Sequence, residues 1–394
     1  RIILSGLSSE NFMMVMSIFA IALLIINSGT LFRVLLRLVY IFPRHFKWYN
    51  LMVFMVGTFL TPIIPSLLSR CQIMATFAKE ACILMHIKDR TLERNAISIS
   101  SFFGTTLLAS VFLTSSLMNF LVLNFLPTQI QEQFQWIGWF KASMVFGGYL
   151  LALYWIAFLI FFRKKIDVTI SKEIIKTQLN VLNKLQKREW GTILAISFYI
   201  IGLLTYQIHH INPSWIAVMS FFIVIVNKLI SREEFQKEVD WAFLMFLATA
   251  SGIVSTMKYL QLDVFSTKLI VGYLGNFLSS NISFFIFTII TVMIVRLALP
   301  IPSTVVLICS IFIPLSSSYD VNPWLLSLVI LVTADMWFLP YQNIFYQVFE
   351  NYSKNSNGLQ FDTSQILYFN IFITLARFLA LYLSMPYWTK IGLL

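Results

Sequence analysis

The sequence predicts an all-α polytopic membrane protein made of two inverted-topology repeats, each with a re-entrant helical hairpin and a broken transmembrane helix. Three observations carry that prediction. Charge is scarce and apolar residues fall in long runs. Basic residues are confined to alternate loops. One order of segments occurs twice along the chain.

Of 394 residues, 58% are apolar and 11% are charged, with a mean hydropathy of +0.81. An ordinary soluble domain has about 25% charged residues, so this chain could not clothe a globule in polar groups. The plainest apolar runs are 11–31, 139–162, 192–209 and 366–385. Each is within the roughly 17–25 residues that carry a helix across about 30 Å of hydrocarbon. The 38 Phe and 10 Trp suit a lipid-facing surface with aromatic anchors at its edges. The net charge of +11 sits in the loops between these runs, which excludes a nucleic-acid partner and makes the lipid bilayer the expected surroundings. Cys71, Cys82 and Cys309 lie inside apolar segments, so no disulfide framework is expected. The four histidines are too scattered for a metal site, and His209 and His210 read as interfacial packing at a helix end. The start, Arg1-Ile2-Ile3, has none of the marks of a signal peptide and reads as a cut through a longer protein.

Loop charges orient the segments. Arg33, Arg37, Arg44 and Lys47 follow the first run, and Lys88, Arg90 and Arg94 follow the next. The stretch 163–190 holds eight basic residues, and Lys228, Arg232 and Lys237 form a further group. The connections 128–135 and 209–213 hold no Lys or Arg. Basic loops stay cytoplasmic, which places the basic groups inside and these two connections outside. The expected location is a plasma or bacterial-type inner membrane, with loop 163–190 cytoplasmic.

That bias requires two apolar blocks to turn back. Block 49–84 has basic residues on both sides, and its middle reads Thr61-Pro62-Ile63-Ile64-Pro65-Ser66. Prolines remove donors and break the helix, so the block reads as a re-entrant hairpin with its tip there. Block 282–317 enters from the outer face, with its tip at Leu299-Pro300-Ile301-Pro302-Ser303-Thr304. Segment 96–126 is broken at Thr114-Ser115-Ser116-Leu117-Met118-Asn119, and 324–350 at Leu339-Pro340-Tyr341-Gln342-Asn343. Span, hairpin and broken span thus occur at 11–31, 49–84 and 96–126, then again at 240–261, 282–317 and 324–350. Equivalent points lie roughly 224–237 residues apart. The first copy starts outside and the second inside, which is the inverted repeat of alternating-access carriers.

Three units follow: 1–162, the first repeat with its beginning missing; 163–190, a cytoplasmic connector; and 191–394, the second repeat. The second copy has two spans before its 240–261 segment, so the first should be preceded by roughly 50 residues. In the connector, Ile170, Ile174, Leu182 and Leu185 fall near helical spacing. A basic amphipathic helix on the inner leaflet and a disordered linker both fit.

Irregular backbone at mid-membrane depth must be buried or line a cavity, so two tips and two breaks imply a central polar site. Free N–H groups at half-helix N-termini suit an anion. Unwound carbonyls with Ser, Thr and Asn oxygens suit Na⁺. Ser66, Ser115, Ser116 and Asn119 supply such oxygens in the first copy, and Ser303, Thr304, Gln342 and Asn343 in the second. Capping of the broken helices is the alternative use for them. Asp335, about one turn before the second break, is costly at mid-helix and should face the bundle. It reads as a proton-coupling group or as the partner of Arg377 or Arg296. Arg70 either sits near an anion or reaches toward the inner face.

At these breaks the sequence resembles the divalent anion:sodium symporter family, within the wider ion transporter superfamily. The stretch from Thr61 to Arg70 is similar to the family's first hairpin tip, usually Pro-Ser-Asn-Thr-Ala-Arg. Phe112-Leu113-Thr114-Ser115-Ser116-Leu117-Met118-Asn119 resembles its Phe-Leu-Thr-Gly-Met-Ala-Ala-Asn break. Asn322-Pro323-Trp324, followed by Phe338-Leu339-Pro340-Tyr341-Gln342-Asn343, resembles the second break. The resemblance implies substrate contacts from Ser66, Pro302, Ser303 and Thr304. It implies two sodium sites, drawing on Ser115, Ser116 and Asn119 and on Gln342 and Asn343. It also implies a homodimer with an elevator motion, acting on sulfate or di- and tricarboxylates. Two departures stand out: Leu67-Leu68 replaces Asn and Thr at the first tip, and the second tip has no Asn.

The expected function is therefore sodium-coupled secondary transport of a small anion, with no cofactor beyond Na⁺. A metalloid or sodium/proton carrier of the same superfamily and a non-transporting paralogue are the alternatives. An intramembrane enzyme would need paired carboxylates, a Ser–His pair or an H-E-x-x-H run, and the sequence has none of these.

Overall fold

Apolar side chains drive this chain into helices, and Pro, Gly and capping residues decide where each one stops. The computed structural model describes residues 7, 10–41, 46–85, 87–163, 185–261, 281–355, 358–359 and 361–394. The first half contains α1 (Glu10–Asn27), α2 (Thr30–Ile41), α3 (Phe46–Leu60), α4 (Leu67–Leu84), α5 (Leu92–Thr106), α6 (Leu117–Leu123), α7 (Thr128–Gln133) and α8 (Trp136–Phe161). The second begins with α9 (Lys187–Leu204), α10 (Tyr206–His209), α11 (Pro213–Val226), α12 (Arg232–Glu238) and α13 (Trp241–Tyr259). It continues with α14 (Asn281–Ala298), α15 (Ile301–Leu315), α16 (Pro323–Ala334), α17 (Ile344–Tyr352) and α18 (Thr363–Lys390). Among the described residues the β structure is one two-residue pairing, Lys354–Asn355 with Gly358–Leu359. Among the described residues four helices are long and apolar enough to cross a membrane: Trp136–Phe161, Asn281–Ala298, Ile301–Tyr319 and Thr363–Lys390. The molecule is an all-helical, polytopic membrane protein.

Several boundaries differ from those expected. The first run stops at Asn27, because Gly29 adopts φ +77, a left-handed turn glycine takes without strain. A separate helix, α2, then carries Arg33 and Arg37, which sequence reading had placed in a loop. At the first proline break, Ser66 caps α4 by accepting from Ser69 N at 3.2 Å. In the second, only Leu299 and Pro300 lie outside helix. Pro302, Ser303 and Thr304, expected at the tip, form the first turn of α15, where a missing proline N–H costs nothing.

The helix breaks are wider than the sequence suggests. α5 stops at Thr106, and 107–116 is irregular apart from one 3₁₀ turn, Leu113–Ser115. Asn119 then lies inside α6. α16 ends at Ala334, so Asp335 is its C-cap and opens the break, where mid-helix was expected. A 3₁₀ turn at Pro340–Gln342 precedes α17, which Asn343 caps.

Packing joins the halves reciprocally. α4, which follows the first proline break, packs on α17, which follows the second helix break. α15, which follows the second proline break, packs on α6, which follows the first helix break. α3 and α4 both lie against α5, and α14 and α15 both lie against α16. A separate group forms around α1, which packs on α9, α11 and α13. Two glycines allow α3 and α5 to touch at their backbones: a Cβ on Gly104 would meet Phe54 O at 2.6 Å. The indoles of Trp139 and Trp324 cross at 5.6 Å, and Trp388 Nε1 donates to Ala142 O at 2.8 Å, holding α8, α16 and α18 together.

The charged ends also sort. Arg33 pairs with Glu189 at 2.7 Å, and Arg188 with Glu234 at 2.6 Å. Asn27 donates to Glu238 at 2.7 Å nearby. At the opposite end of α1, Asn212 donates to Glu10 at 2.6 Å. The amphipathic segment expected in the connector, with Ile170, Ile174 and Leu182, lies outside the described residues.

Candidate functional site

All four chain interruptions meet at one cavity of about 530 Å³. The first proline break contributes Ser66 and Leu67, and the start of α6 contributes Ser116. The second proline break contributes Pro300 and Pro302, and the second helix break contributes Gln342. Arg296 of α14 reaches the wall, and Asp240, just before α13, and Phe243 of α13 also line it. A much smaller neighbouring cavity touches Asn119 and Asp335.

Irregular backbone needs partners for its polar groups, and side chains supply several at the first break. Ser115 Oγ donates to Ala109 O and Phe112 O. Asn119 Nδ2 donates to the same two carbonyls, each at 2.8 Å. Trp139 Nε1 donates to Ser110 O, and Ser143 Oγ to Val111 O. Thr114 Oγ1 ties the break to the proline tip through Pro62 O at 2.7 Å. Ser116 Oγ accepts from Met118 N as the cap of α6.

The strongest tie between tip and break is Arg70. Its side chain is fully buried, and Nη1 donates to Thr61 O at 2.8 Å, Ile64 O at 2.6 Å and Ser115 O at 2.7 Å. One cationic nitrogen thus sits among three carbonyl oxygens from two unwound segments. Nε and Nη2 have no hydrogen-bond partner among the described residues.

The second half has the same device built from a different position. Arg296, in the last turn of α14, donates from Nη1 to Leu299 O at 2.8 Å, from Nε to Ala334 O at 2.7 Å, and from Nη2 to Gln342 O at 2.7 Å. It therefore links the second proline break to both ends of the second helix break. Gln342 Oε1 accepts from Phe338 N and Leu339 N, and Asn343 Oδ1 accepts from Phe345 N and Tyr346 N. Asp335 pairs with Arg377 of α18, Oδ2 to Nη2 at 3.0 Å. Its carboxylate also lies within electrostatic reach of Arg296 and Arg70.

Of the residues singled out from sequence, Ser66, Ser116, Pro302 and Gln342 line the large cavity. Asn119 and Asp335 line the small one together with Ser116. Ser115, Thr304, Asn343 and Arg377 are buried behind these walls, and Thr304 Oγ1 donates to Pro300 O at 3.0 Å. Ser303 lies in the first turn of α15, beside the wall.

These breaks and their convergence are accompanied by a match over nearly the whole chain. A profile of the sodium:sulfate symporter transmembrane region covers residues 1–381. The chain belongs to the sodium:sulfate symporter family. The resemblance to divalent anion:sodium symporters read from the hairpin and break motifs is thereby borne out. The citrate/succinate antiporters of Escherichia coli K12 and of Escherichia coli O157:H7 are each 24% identical to it over 151 residues. Those matches span 37% of this chain and 30% of each antiporter.

Sodium, the ion in the family's description, would need oxygen ligands at the two breaks. In this family member the carbonyls of Thr61, Ile64 and Ser115 on one side and of Leu299, Ala334 and Gln342 on the other accept from guanidinium groups. The side-chain oxygens of Ser116, Gln342 and Asn343 accept from backbone N–H groups. Sequence reasoning missed this use of Arg70 and Arg296. The available signal was a single arginine beside each proline pair, Pro65 and Arg70, Arg296 and Pro300. It also missed Asp240, whose Oδ1 accepts from Phe243 N at the start of α13.

Proposed function

We propose that the protein is a secondary active carrier that moves sulfate or a small di- or tricarboxylate by alternating access, with the central cavity as its anion site. The observation that carries this reading is the convergence of two proline breaks and two helix breaks on one cavity of about 530 Å³. A static pocket needs no such construction, because unwound backbone inside a membrane is tolerated only where it lines a cavity. α4, α15 and α17 all begin at the wall, and helix N-termini offer N–H groups and partial positive charge to an anion. Arg296 adds a full charge beside them.

In this reading the two proline breaks belong to re-entrant hairpins and the halves form an inverted repeat. The reciprocal packing of α4 on α17 and of α15 on α6 supports the second point. α3–α6 with α14–α17 would travel as a unit past the group around α1, in an elevator motion within a homodimer. The membrane is a plasma or inner membrane, and the 163–190 connector faces the cytoplasm, on the side where Arg33, Arg188 and Lys237 lie. On coupling, the family's description implies sodium and the name of the Escherichia coli relatives implies exchange of two anions.

Uptake by proteoliposomes tests the carrier reading. The purified protein should take up at least one of labelled sulfate, succinate or citrate saturably, and the same anion should raise its melting temperature in detergent. A protein that moves none of them and is stabilised by none would be a non-transporting paralogue. Transport of arsenite or of Na⁺ against H⁺ instead would place it with the metalloid and sodium/proton carriers of the superfamily.

A further inference from the structure

The walls of the central cavity are mostly apolar. Leu67 and Leu68 open α4, Met118 comes from α6, Phe243 from α13, and Ile344 and Phe345 from the start of α17. Arg296 and Asp240 are the charged residues that line it, and their formal charges cancel. The lining therefore holds no surplus of positive charge to meet an anion that carries two or three negative ones.

Most polar groups on the wall are already occupied by the protein. Ser66 Oγ accepts from Ser69 N and from Ser69 Oγ, and Ser116 Oγ accepts from Met118 N. Gln342 Oε1 accepts from Phe338 N and Leu339 N, and Gln347 Nε2 donates to Tyr341 O at 3.1 Å. The helix starts are partly occupied too. Asn343 Oδ1 takes the N–H groups of Phe345 and Tyr346, and Pro302 has no N–H to give. Arg296 is the exception. A guanidinium has five N–H donors, and the carbonyls of Leu299, Ala334 and Gln342 each take one from it. Among the described residues Nη1 and Nη2 each keep one N–H, which suits the two oxygens of a single carboxylate.

We propose that the transported anion is a small carboxylate with an apolar body. One carboxylate group meets Arg296, and branched aliphatic or aromatic carbon fills the space between the leucines and the phenylalanines. This rests on the carrier reading above and narrows its anion. A cavity of about 530 Å³ has room for such a body, and a mostly apolar wall with a few orienting polar groups is the usual make-up of a site that binds one. Apolar carbon gains by leaving water for these walls. A hydroxyl or a further carboxylate would leave water for a surface with few free partners, which is costly. Sulfate has no apolar surface to bury, and its second charge would find no second cation on the lining.

The test uses the purified protein in proteoliposomes, with uptake of labelled succinate and labelled 2,2-dimethylsuccinate measured against unlabelled competitors. The dimethyl compound should compete about tenfold or more better than succinate, since each buried methyl contributes about fourfold. Monomethyl succinate, with one carboxylate blocked, should compete at least as well as succinate. Malate, which adds a hydroxyl, should compete worse than succinate, as should citrate and sulfate. No gain from the two methyls, or a clear loss on blocking one carboxylate, would overturn the inference and leave the carrier intact. So would malate, citrate or sulfate competing best, or being alone in raising the melting temperature in detergent. Absence of uptake, with no anion stabilising the protein, would overturn the carrier reading and this one together. Leu68→Asn gives a second readout, because Leu68 is half-buried on the wall. It should remove about fourfold of the advantage of 2,2-dimethylsuccinate over succinate and improve competition by malate. An unchanged ratio would count against this wall as the seat of the apolar body. If that variant does not fold, the competitor series on the unaltered protein still decides.

Discussion

At the scale of single residues, Asp335 and Arg377 show how position settles chemistry. The sequence left Asp335 as a proton-coupling group or a charge partner. The break begins at Asp335 itself, which lets its carboxylate turn from the helix end toward α18 and meet Arg377 at 3.0 Å. Arg377 is buried and Asp335 is partly exposed, so removing Asp335 leaves a buried charge uncompensated at a cost below the about 3–5 kcal/mol of a fully buried pair. We therefore expect Asp335→Asn to lower the melting temperature clearly, while the pH dependence of whatever transport remains follows that of the unaltered protein. A variant that lost a pH dependence present in the parent would return Asp335 to a proton-carrying role. The residues of the site were legible to different degrees for a physical reason. Ser66, Asn322 and Asn343 cap helices through local bonds to residues two or three positions on, and local bonds leave a local pattern. Arg70 and Arg296 act on carbonyls up to 46 positions away, and nothing in the neighbouring letters records that.

At the scale of elements, the proline breaks were legible because Pro acts on its own backbone. Pro62 with Pro65, and Pro300 with Pro302, mark both tips. The first helix break was placed too late because it opens with Leu107, Leu108 and Ala109, residues that suit a helix. Only the ring of Trp139, Ser143, Ser115 and Asn119 donors makes unwinding there tolerable. Besides Arg70 and Thr114, the first tip is held against this break by the backbone contact of α3 with α5 at Gly57 and Gly104, a small-residue seam of the sort membrane helices use. A methyl group on Gly104 would lie 2.6 Å from Phe54 O and 3.0 Å from Phe54 Cα, and backbone cannot step aside as a flexible side chain can. Gly104→Ala should therefore destabilise by about 1–3 kcal/mol and impair transport by shifting the tip away from the break. Gly148→Ala on α8, where an added Cβ meets nothing within 4 Å, should do neither. Thermal melting and uptake of the two variants side by side check this, and equal behaviour of both would refute the seam.

At the scale of the whole molecule, the two halves are tied together at one end by charge as well as by packing. Arg33 and Glu189 meet through two bonds, Nε–Oε1 at 2.7 Å and Nη2–Oε2 at 3.1 Å, with both side chains at least nine-tenths buried. The pair joins α2 of the first half to α9 of the second, across 156 positions of sequence. Loop charges had gathered the same basic groups to one side of the membrane, yet they could not show that Arg33 is buried, since a positive residue near a helix end reads the same whether solvated or paired. If the group around α1 is the stationary part of an elevator, this clasp should hold the scaffold and leave the anion site untouched. Arg33→Ala would then strand a buried carboxylate, costing about 3–5 kcal/mol in thermal stability, with the affinity for the transported anion preserved. Arg33→Leu combined with Glu189→Leu should recover most of that stability, because two apolar side chains of similar bulk remove both desolvation penalties at once. Melting curves of the single and double variants, with uptake measured across anion concentration, decide the matter. A double variant no more stable than the single one would mean the pair does more than balance its own charge. An altered anion affinity would mean the clasp reaches the transport site.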